Sequence, residues 1–304
     1  MIIDTHVHAV SEDQRKYPRQ VTSGAPGEWV RSMSAEMLLS LNEDAGIDRT
    51  VLVQPYSAYG YDNSYAADSA SKYPGHFASV SILDPLHKDT LDNLNYWVKE
   101  RGTRGLRLFT TTETEATWLD DPRTFPVWER AGSLGIPISI MALFHQIPRV
   151  RTVLEHFPTV AVALDHLALP RLSGGPPYDG AQPLFDLARF PNLYLKFSSI
   201  NLYAASGGKS YAREFFSRLL DSFGASRMMW GSNFPATNDH SLKEQYDLAR
   251  NENFPLLPIV TSVDSSAKRL WACGQCCDSG WFSGHRGFPN SKTITLIIVS
   301  KIVG

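Results

Sequence analysis

Cysteine is almost missing from this chain. Of 304 residues three are Cys, all between Cys273 and Cys277. The body of the protein therefore has no disulfide framework, and a reducing, cytoplasmic setting is expected. Long apolar runs are missing too. The stretch 294–303 is interrupted by Ser300 and Lys301 and falls short of the roughly 20 residues a membrane helix needs. Met1-Ile2-Ile3 leads straight into the polar, His-bearing segment from Asp4, which does not read as a secretory signal. Charge of one sign is lacking as well: a net charge of −2 offers no general attraction for nucleic acid or an anionic membrane. No G-x-G-x-x-G follows the first apolar run, which argues against a dinucleotide fold. No G-x-S-x-G elbow is present either, so a serine nucleophile is not expected.

What is present is an ordinary globular composition, 43% hydrophobic and 20% charged, with a regular rhythm. Short β-branched runs at 2–8, 50–54, 77–83, 105–109, 136–141, 160–165, 193–197 and 228–231 alternate with amphipathic stretches. Those stretches are 34–45, 63–72, 90–100, 122–132, 146–156, 183–190, 211–223 and 242–251. Eight strands, each followed by a helix, is the count that closes a barrel, and such barrels run to about 250 residues as one domain. The expected architecture is a single (β/α)8 TIM barrel over residues 1–271, with an irregular C-terminal tail at 272–304. In the first helix Ser34 is placed to cap, Glu36, Glu43 and Asp44 to face water, and Met37, Leu38 and Leu41 to face the core. Gly46, Gly102 and Gly135 each close a helix ahead of a strand. Longer excursions at 12–31 and 169–182 follow the carboxyl ends of strands one and six. Barrel active sites are built at that end, so both read as loops over a substrate.

The chemistry-bearing residues collect at the same end. In Asp4-Thr5-His6-Val7-His8, residues two apart share a strand face, so His6 and His8 project together. Two imidazoles so placed can share a divalent metal, Zn2+ first among them; the alternative is polar decoration of a strand. The sixth strand ends in Asp165-His166 and delivers a third histidine, His166. Asp165 has the opposite parity and is expected to support a loop or helix.

Taken in order, Asp4-Thr5-His6-Val7-His8, Gln54-Pro55, Asp62-Asn63-Ser64-Tyr65, Gly105-Leu106-Arg107-Leu108, Asp165-His166-Leu167 and Trp230-Gly231-Ser232-Asn233-Phe234-Pro235 form a specific set. The sequence resembles the amidohydrolase-related family that contains 2-pyrone-4,6-dicarboxylate lactonase and sugar lactonases. More distantly, it resembles the aminocarboxymuconate-semialdehyde decarboxylase branch. The resemblance covers roughly residues 1–271. It implies a TIM barrel whose first-strand histidines, sixth-strand histidine and eighth-strand acid form the reaction centre. One position departs: Asn233 stands where the family carries aspartate. An amide cannot take a proton near neutral pH. Water is then activated by a metal alone, or another residue is the base, with His145 and Asp239 nearest by position, or hydrolysis is weakened or lost.

Positive charge at this end fits an acidic substrate. Arg107 in strand four, Lys196 in strand seven and Arg171 on the loop after strand six are candidate carboxylate contacts. Arg107 has a second reading, as partner of a buried carboxylate, and Lys196 could line the outer face of its strand. Gln54 ends strand two as a further substrate-contact candidate, and Tyr56, Tyr59 and Tyr61 on the loop after it could wall a flat ring or serve as loop packing. Ser198 and Ser199 could bond a substrate oxygen. Cys273-Gly274-Gln275-Cys276-Cys277 lacks the second ligand pair of a structural zinc site.

The leading expectation is a hydrolase that opens a small, carboxylate-bearing lactone by water attack. His6, His8, His166 and Asn233 form its catalytic group, and His6, His8 and His166 its metal set, with zinc or without metal. Arg107, Arg171, Lys196, Gln54, Tyr56 and His145 would contact substrate. The alternatives are a metal-dependent non-oxidative decarboxylase and a non-catalytic barrel that binds a small acid. A homo-oligomer is compatible with all three.

Overall fold

A computed structural model describes residues 2–20, 31–237 and 240–250. Eight parallel strands lie in the order β1 to β8, each paired with the next: β1 Ile3–Val7, β2 Arg49–Val53, β3 Phe77–Ile82, β4 Leu106–Phe109, β5 Ile138–Met141, β6 Val162–Leu164, β7 Leu193–Phe197 and β8 Met228–Trp230. Helices intervene: α1 Ala35–Ala45, α2 Tyr56–Tyr59, α3 Ser64–Lys72, α4 Thr90–Asn95, α5 Phe125–Leu134, α6 Ile147–His156, α7 Gln182–Asp186, α8 Ser199–Ala205, α9 Ala212–Phe223 and α10 Leu242–Arg250. A π turn over Tyr96–Glu100 extends α4. The expected barrel architecture is present. Residues 251–304 fall outside the described residues, and with them the reading of 272–304 as a tail. No described helix is long and apolar enough to cross a membrane.

Local chemistry explains most boundaries. The Ser34 hydroxyl accepts from the Met37 backbone N–H at 3.2 Å and starts α1, while Gly46 ends it at φ +71°. Leu38 is buried as expected, but Met37 is 42% exposed. Its position belongs to the wet side of the helix, and Asn42 takes an inner position instead through its bond to Thr50.

Two apolar layers form. Ile3, Val51, Val53, Ala78, Val80, Ala163, Tyr194 and Met229, from β1, β2, β3, β6, β7 and β8, pack together inside the barrel. Strand residues of the other parity, among them Leu52, Leu108, Ile140 and Leu195, pack outward with helix residues such as Leu38 and Phe216. This two-period alternation is what a strand buried on both faces requires.

The seam between β8 and β1 closes by a parallel bridge, Val7 to Phe234. Backbone bonds run from His8 N to Phe234 O and from Asn233 N to His6 O, both at 2.8 Å. Thr5 Oγ1 donates to the Trp230 carbonyl at 2.7 Å. The β1 register shifts between Asp4 and Val7. Through this irregularity Ile3 joins the inner layer low in the barrel, while His6 and His8 face inward above it.

Candidate active site

The turn that ends β6 assembles the site. His166, Leu167, Ala168 and Leu169 all adopt left-handed φ values, +50°, +55°, +58° and +55°. Each costs a non-glycine residue roughly 1–2 kcal/mol, so neighbours must hold the turn. The His166 carbonyl accepts from Leu169 N at 2.9 Å and from Asn201 Nδ2 at 2.8 Å. Because the handedness reverses after Asp165, two adjacent residues both enter the barrel. Asp165 does so by strand parity, in step with Ala163, and His166 through the turn. The expectation that Asp165 faces away is corrected: it carries the strand through to His166, whereas β6 ends at Leu164 and the turn begins at Asp165.

Asp165 is the hub of the buried polar layer. One carboxylate oxygen accepts from Arg107 Nε at 2.8 Å. The other accepts from Ser139 Oγ at 2.6 Å and lies 3.4 Å from Lys196 Nζ and 3.6 Å from His6 Nδ1. Burial alone would raise this carboxyl; the charge of Lys196, the contact with His6 and the charge of Arg107 outweigh it and hold Asp165 well below the usual carboxylate range. Burial pushes the Lys196 ammonium down, with Asp165 opposing. Both cations that sequence reading assigned to substrate thus lean on one aspartate. Arg107 spends only Nε there. Its two terminal nitrogens have no hydrogen bond among the described residues, and its guanidinium lies over the Phe109 ring at 5.1 Å.

The three histidines cluster above this layer. Ring centres of His6 and His8 are 5.0 Å apart, and those of His6 and His166 are 4.8 Å apart. Burial keeps all three neutral, pushing His8 down to about 3, His166 to about 4 and His6 well below its ordinary value. Their partners differ. His8 Nδ1 faces the Val53 carbonyl at 2.8 Å, so it carries the proton. The Asn233 side chain also bonds the His8 ring. That contact opposes the effect of burial and favours the protonated ring. His166 Nδ1 lies 3.0 Å from Ser198 Oγ. Both His6 nitrogens are buried without a hydrogen-bond partner.

Other expected site residues spread around this centre. Asn233 is buried at φ +60°, a conformation that asparagine tolerates better than most residues. Tyr56 stacks on Phe109 at 5.1 Å and meets Tyr61 at 5.3 Å, forming an aromatic wall beside Arg107. Gln54 is buried and donates to the Asp62 carbonyl, which ties down the loop after β2. His145 is exposed and bonds the Thr114 carbonyl at 2.6 Å; no hydrogen bond joins it to the histidine cluster. Arg171 lies exposed on the loop after β6. Asp239 lies outside the described residues. Sequence reasoning passed over Ser139 and Asp4. The buried Asp4 accepts from the N–H groups of His6 at 3.1 Å and Ser232 at 2.9 Å, and burial pushes it up to about 6.

The family profile described as Amidohydrolase matches residues 3–257. The chain belongs to the amidohydrolase family. It is 25% identical over 249 residues to an L-fucono-1,5-lactonase of Burkholderia ambifaria, covering 82% of this chain and 79% of that protein. Its fold matches a probable 2-pyrone-4,6-dicarboxylic acid hydrolase of Acinetobacter baumannii, crystallised with citric acid. The TM-score is 0.67 at 19% identity, over 84% of this chain and 94% of that one. An amidohydrolase of Burkholderia multivorans with bound zinc matches at a TM-score of 0.66 and 20% identity, over 82% and 90% of the two chains.

Zinc suits imidazole donors, and the unpartnered nitrogens of His6 are the kind of atoms a metal takes up. The rest of the donor set is against it. Among the described residues no three His, Cys, Asp or Glu side chains are arranged to hold a metal ion. Asn233 engages His8, Asp165 is committed to Arg107, Ser139 and Lys196, and two cations border the cluster. As placed, these residues do not fit a divalent ion.

Proposed function

We propose that this amidohydrolase opens the ring of a small lactone by attack of water on its carbonyl carbon. The observation that carries the reading is His6, a neutral, buried imidazole with both nitrogens unpartnered and Asp165 3.6 Å from Nδ1. A general base must be unprotonated when it meets water and be stabilised once it takes the proton. Burial satisfies the first requirement, and the Asp165 carboxylate serves the second by opposing part of the burial penalty on the protonated ring. His6 therefore takes the role that Asn233 cannot.

In this scheme His6 accepts a proton from water as the oxygen bonds to the lactone carbonyl carbon. The terminal nitrogens of Arg107 face the oxyanion that forms, or a carboxylate beside it, and Asp165 holds the guanidinium in place. The ring C–O bond then breaks, and the leaving alkoxide takes the proton back from His6. The product is the open hydroxy acid. Tyr56 and Phe109 offer a flat wall to the ring. The scheme routes no step through a metal. The cysteine distribution still favours a cytoplasmic enzyme.

The test is a lactone panel at pH 7.5 that includes L-fucono-1,5-lactone and 2-pyrone-4,6-dicarboxylate, followed by proton release with a pH indicator. Carbon dioxide release from carboxylated aromatics is measured in parallel. Ring opening well above the buffer rate supports the reading. Carbon dioxide release without ring opening supports the decarboxylase alternative instead.

A further inference from the structure

The first turn of α8 and the residue before it grip His166 twice. The Asn201 amide donates to the His166 carbonyl at 2.8 Å, and its oxygen accepts from the Ser198 backbone N–H at 3.0 Å. The Ser198 hydroxyl lies 3.0 Å from His166 Nδ1. One residue thus fixes the backbone of the left-handed turn, and the other fixes the ring that the turn carries. Both are buried, Ser198 to 1% and Asn201 to 2% exposure, and neither belongs to the hydrolytic machinery assigned above.

Counting donors decides where the proton of the neutral ring sits. The capping box at the start of α8 uses Ser198 Oγ only as an acceptor, and no other acceptor for the Ser198 hydroxyl hydrogen is found among the described residues. If His166 Nδ1–H donated to it, the Ser198 hydroxyl hydrogen would be buried with no acceptor, which costs a desolvated donor. If Ser198 donates to Nδ1, that donor is satisfied. The ring proton then resides on Nε2, which has no hydrogen-bond partner among the described residues. His8 is held in the opposite tautomer by the Val53 carbonyl. The cluster therefore contains one ring with its proton on Nδ1 and one with its proton on Nε2.

We propose that Ser198 and Asn201 are positioning residues that lock His166 in the Nε2–H tautomer, making it a neutral N–H donor toward the lactone oxygen. The inference rests on the lactone-hydrolase reading for the use of this proton, but not for its place on the ring. Asn201 acts through the backbone: without its bond to the carbonyl, the strained turn loses the contact that reaches it from α8.

The experiment reads the ring directly and needs no substrate. Protein labelled with 15N-histidine is examined at pH 7.5 by long-range proton–nitrogen correlation, with His166 assigned by its loss in His166→Gln. The wild type should show His166 as Nε2–H and His8 as Nδ1–H. Ser198→Ala should lower the His166 tautomer ratio about tenfold, the worth of one hydrogen bond, and Ser198→Thr should restore it. Asn201→Asp keeps the acceptor for Ser198 N–H but loses the donor to the His166 carbonyl, and should broaden or split the His166 signal. An Nδ1–H tautomer in the wild type would overturn the proposal even if no variant folds, and so would an unchanged ratio in Ser198→Ala. Failure of the lactone panel with the tautomer pattern intact would overturn only the function.

Discussion

Gly231, the residue after β8, and His6 on β1 cross so closely that a Cβ on Gly231 would stand 2.5 Å from the His6 Cβ and 2.9 Å from its backbone nitrogen. Neither atom is the free end of a flexible side chain, so Gly231→Ala must spread the barrel seam. Overpacking of this kind costs roughly 1–3 kcal/mol. Urea denaturation should show the loss, and a midpoint equal to wild type would mean that the seam is slack.

Asp165 serves two buried cations at once. Asp165→Asn leaves Arg107 and Lys196 without their anion, and breaking a buried pair from one side costs about 3–5 kcal/mol. The midpoint of denaturation should fall by that measure. A change within error would show that water reaches the layer and already screens it.

Acid should destabilise the fold in a defined window. The native pKa values of His8 and His166, about 3 and about 4, lie beneath the ordinary histidine value of 6.5, and burial holds His6 well below it too. Between those limits the unfolded chain binds more protons, so stability falls as pH drops below 6.5, by about 1.4 kcal/mol per pH unit for each ring. Asp4 works the other way. Raised from 3.8 to about 6, it binds its proton more readily in the native state, and its contribution is lost as pH rises from 4 to 6. Three groups outweigh one. Stability measured between pH 7 and pH 4 should decline, and Asp4→Asn should decline more steeply. A flat wild-type profile would contradict the burial of the imidazoles.

Asn233 keeps its amide against His8. Asn233→Asp replaces that amide with a carboxylate and sets an anionic oxygen beside the His8 ring, the donor mixture that zinc accepts. After dialysis against zinc and then against metal-free buffer, the variant should retain about one zinc per chain and the wild type far less. Equal content in the two proteins would show that Asn233 does not control metal entry.

Most of the scaffold is legible in the sequence because repeated local signals agree. Strand β7 falls at 193–197 as the apolar alternation predicts, and α1 begins and ends at the cap residues Ser34 and Gly46. His6 and His8 share the interior because strand parity persists past the β1 irregularity. The errors arise where tertiary contacts override local pattern. Nothing local in Asp165-His166-Leu167-Ala168-Leu169 announces four left-handed residues; the turn is held from Asn201, 35 positions away in the chain. The helix that supplies Asn201, α8, was not anticipated either, since Ser199–Ala205 is too short for a clear period. Arg107 was recognisable as important, but its partner was not, because the hub sat one residue inside a misplaced strand end.

The most direct measurement compares wild type with His6→Asn on whichever panel lactone the wild type opens fastest, by proton release at pH 7.5. The account predicts rapid ring opening by the wild type and a loss of about 100-fold or more in the folded variant, the lower range of general-base assistance. Equal rates in the two proteins, or no panel lactone opened faster than in buffer, would contradict it.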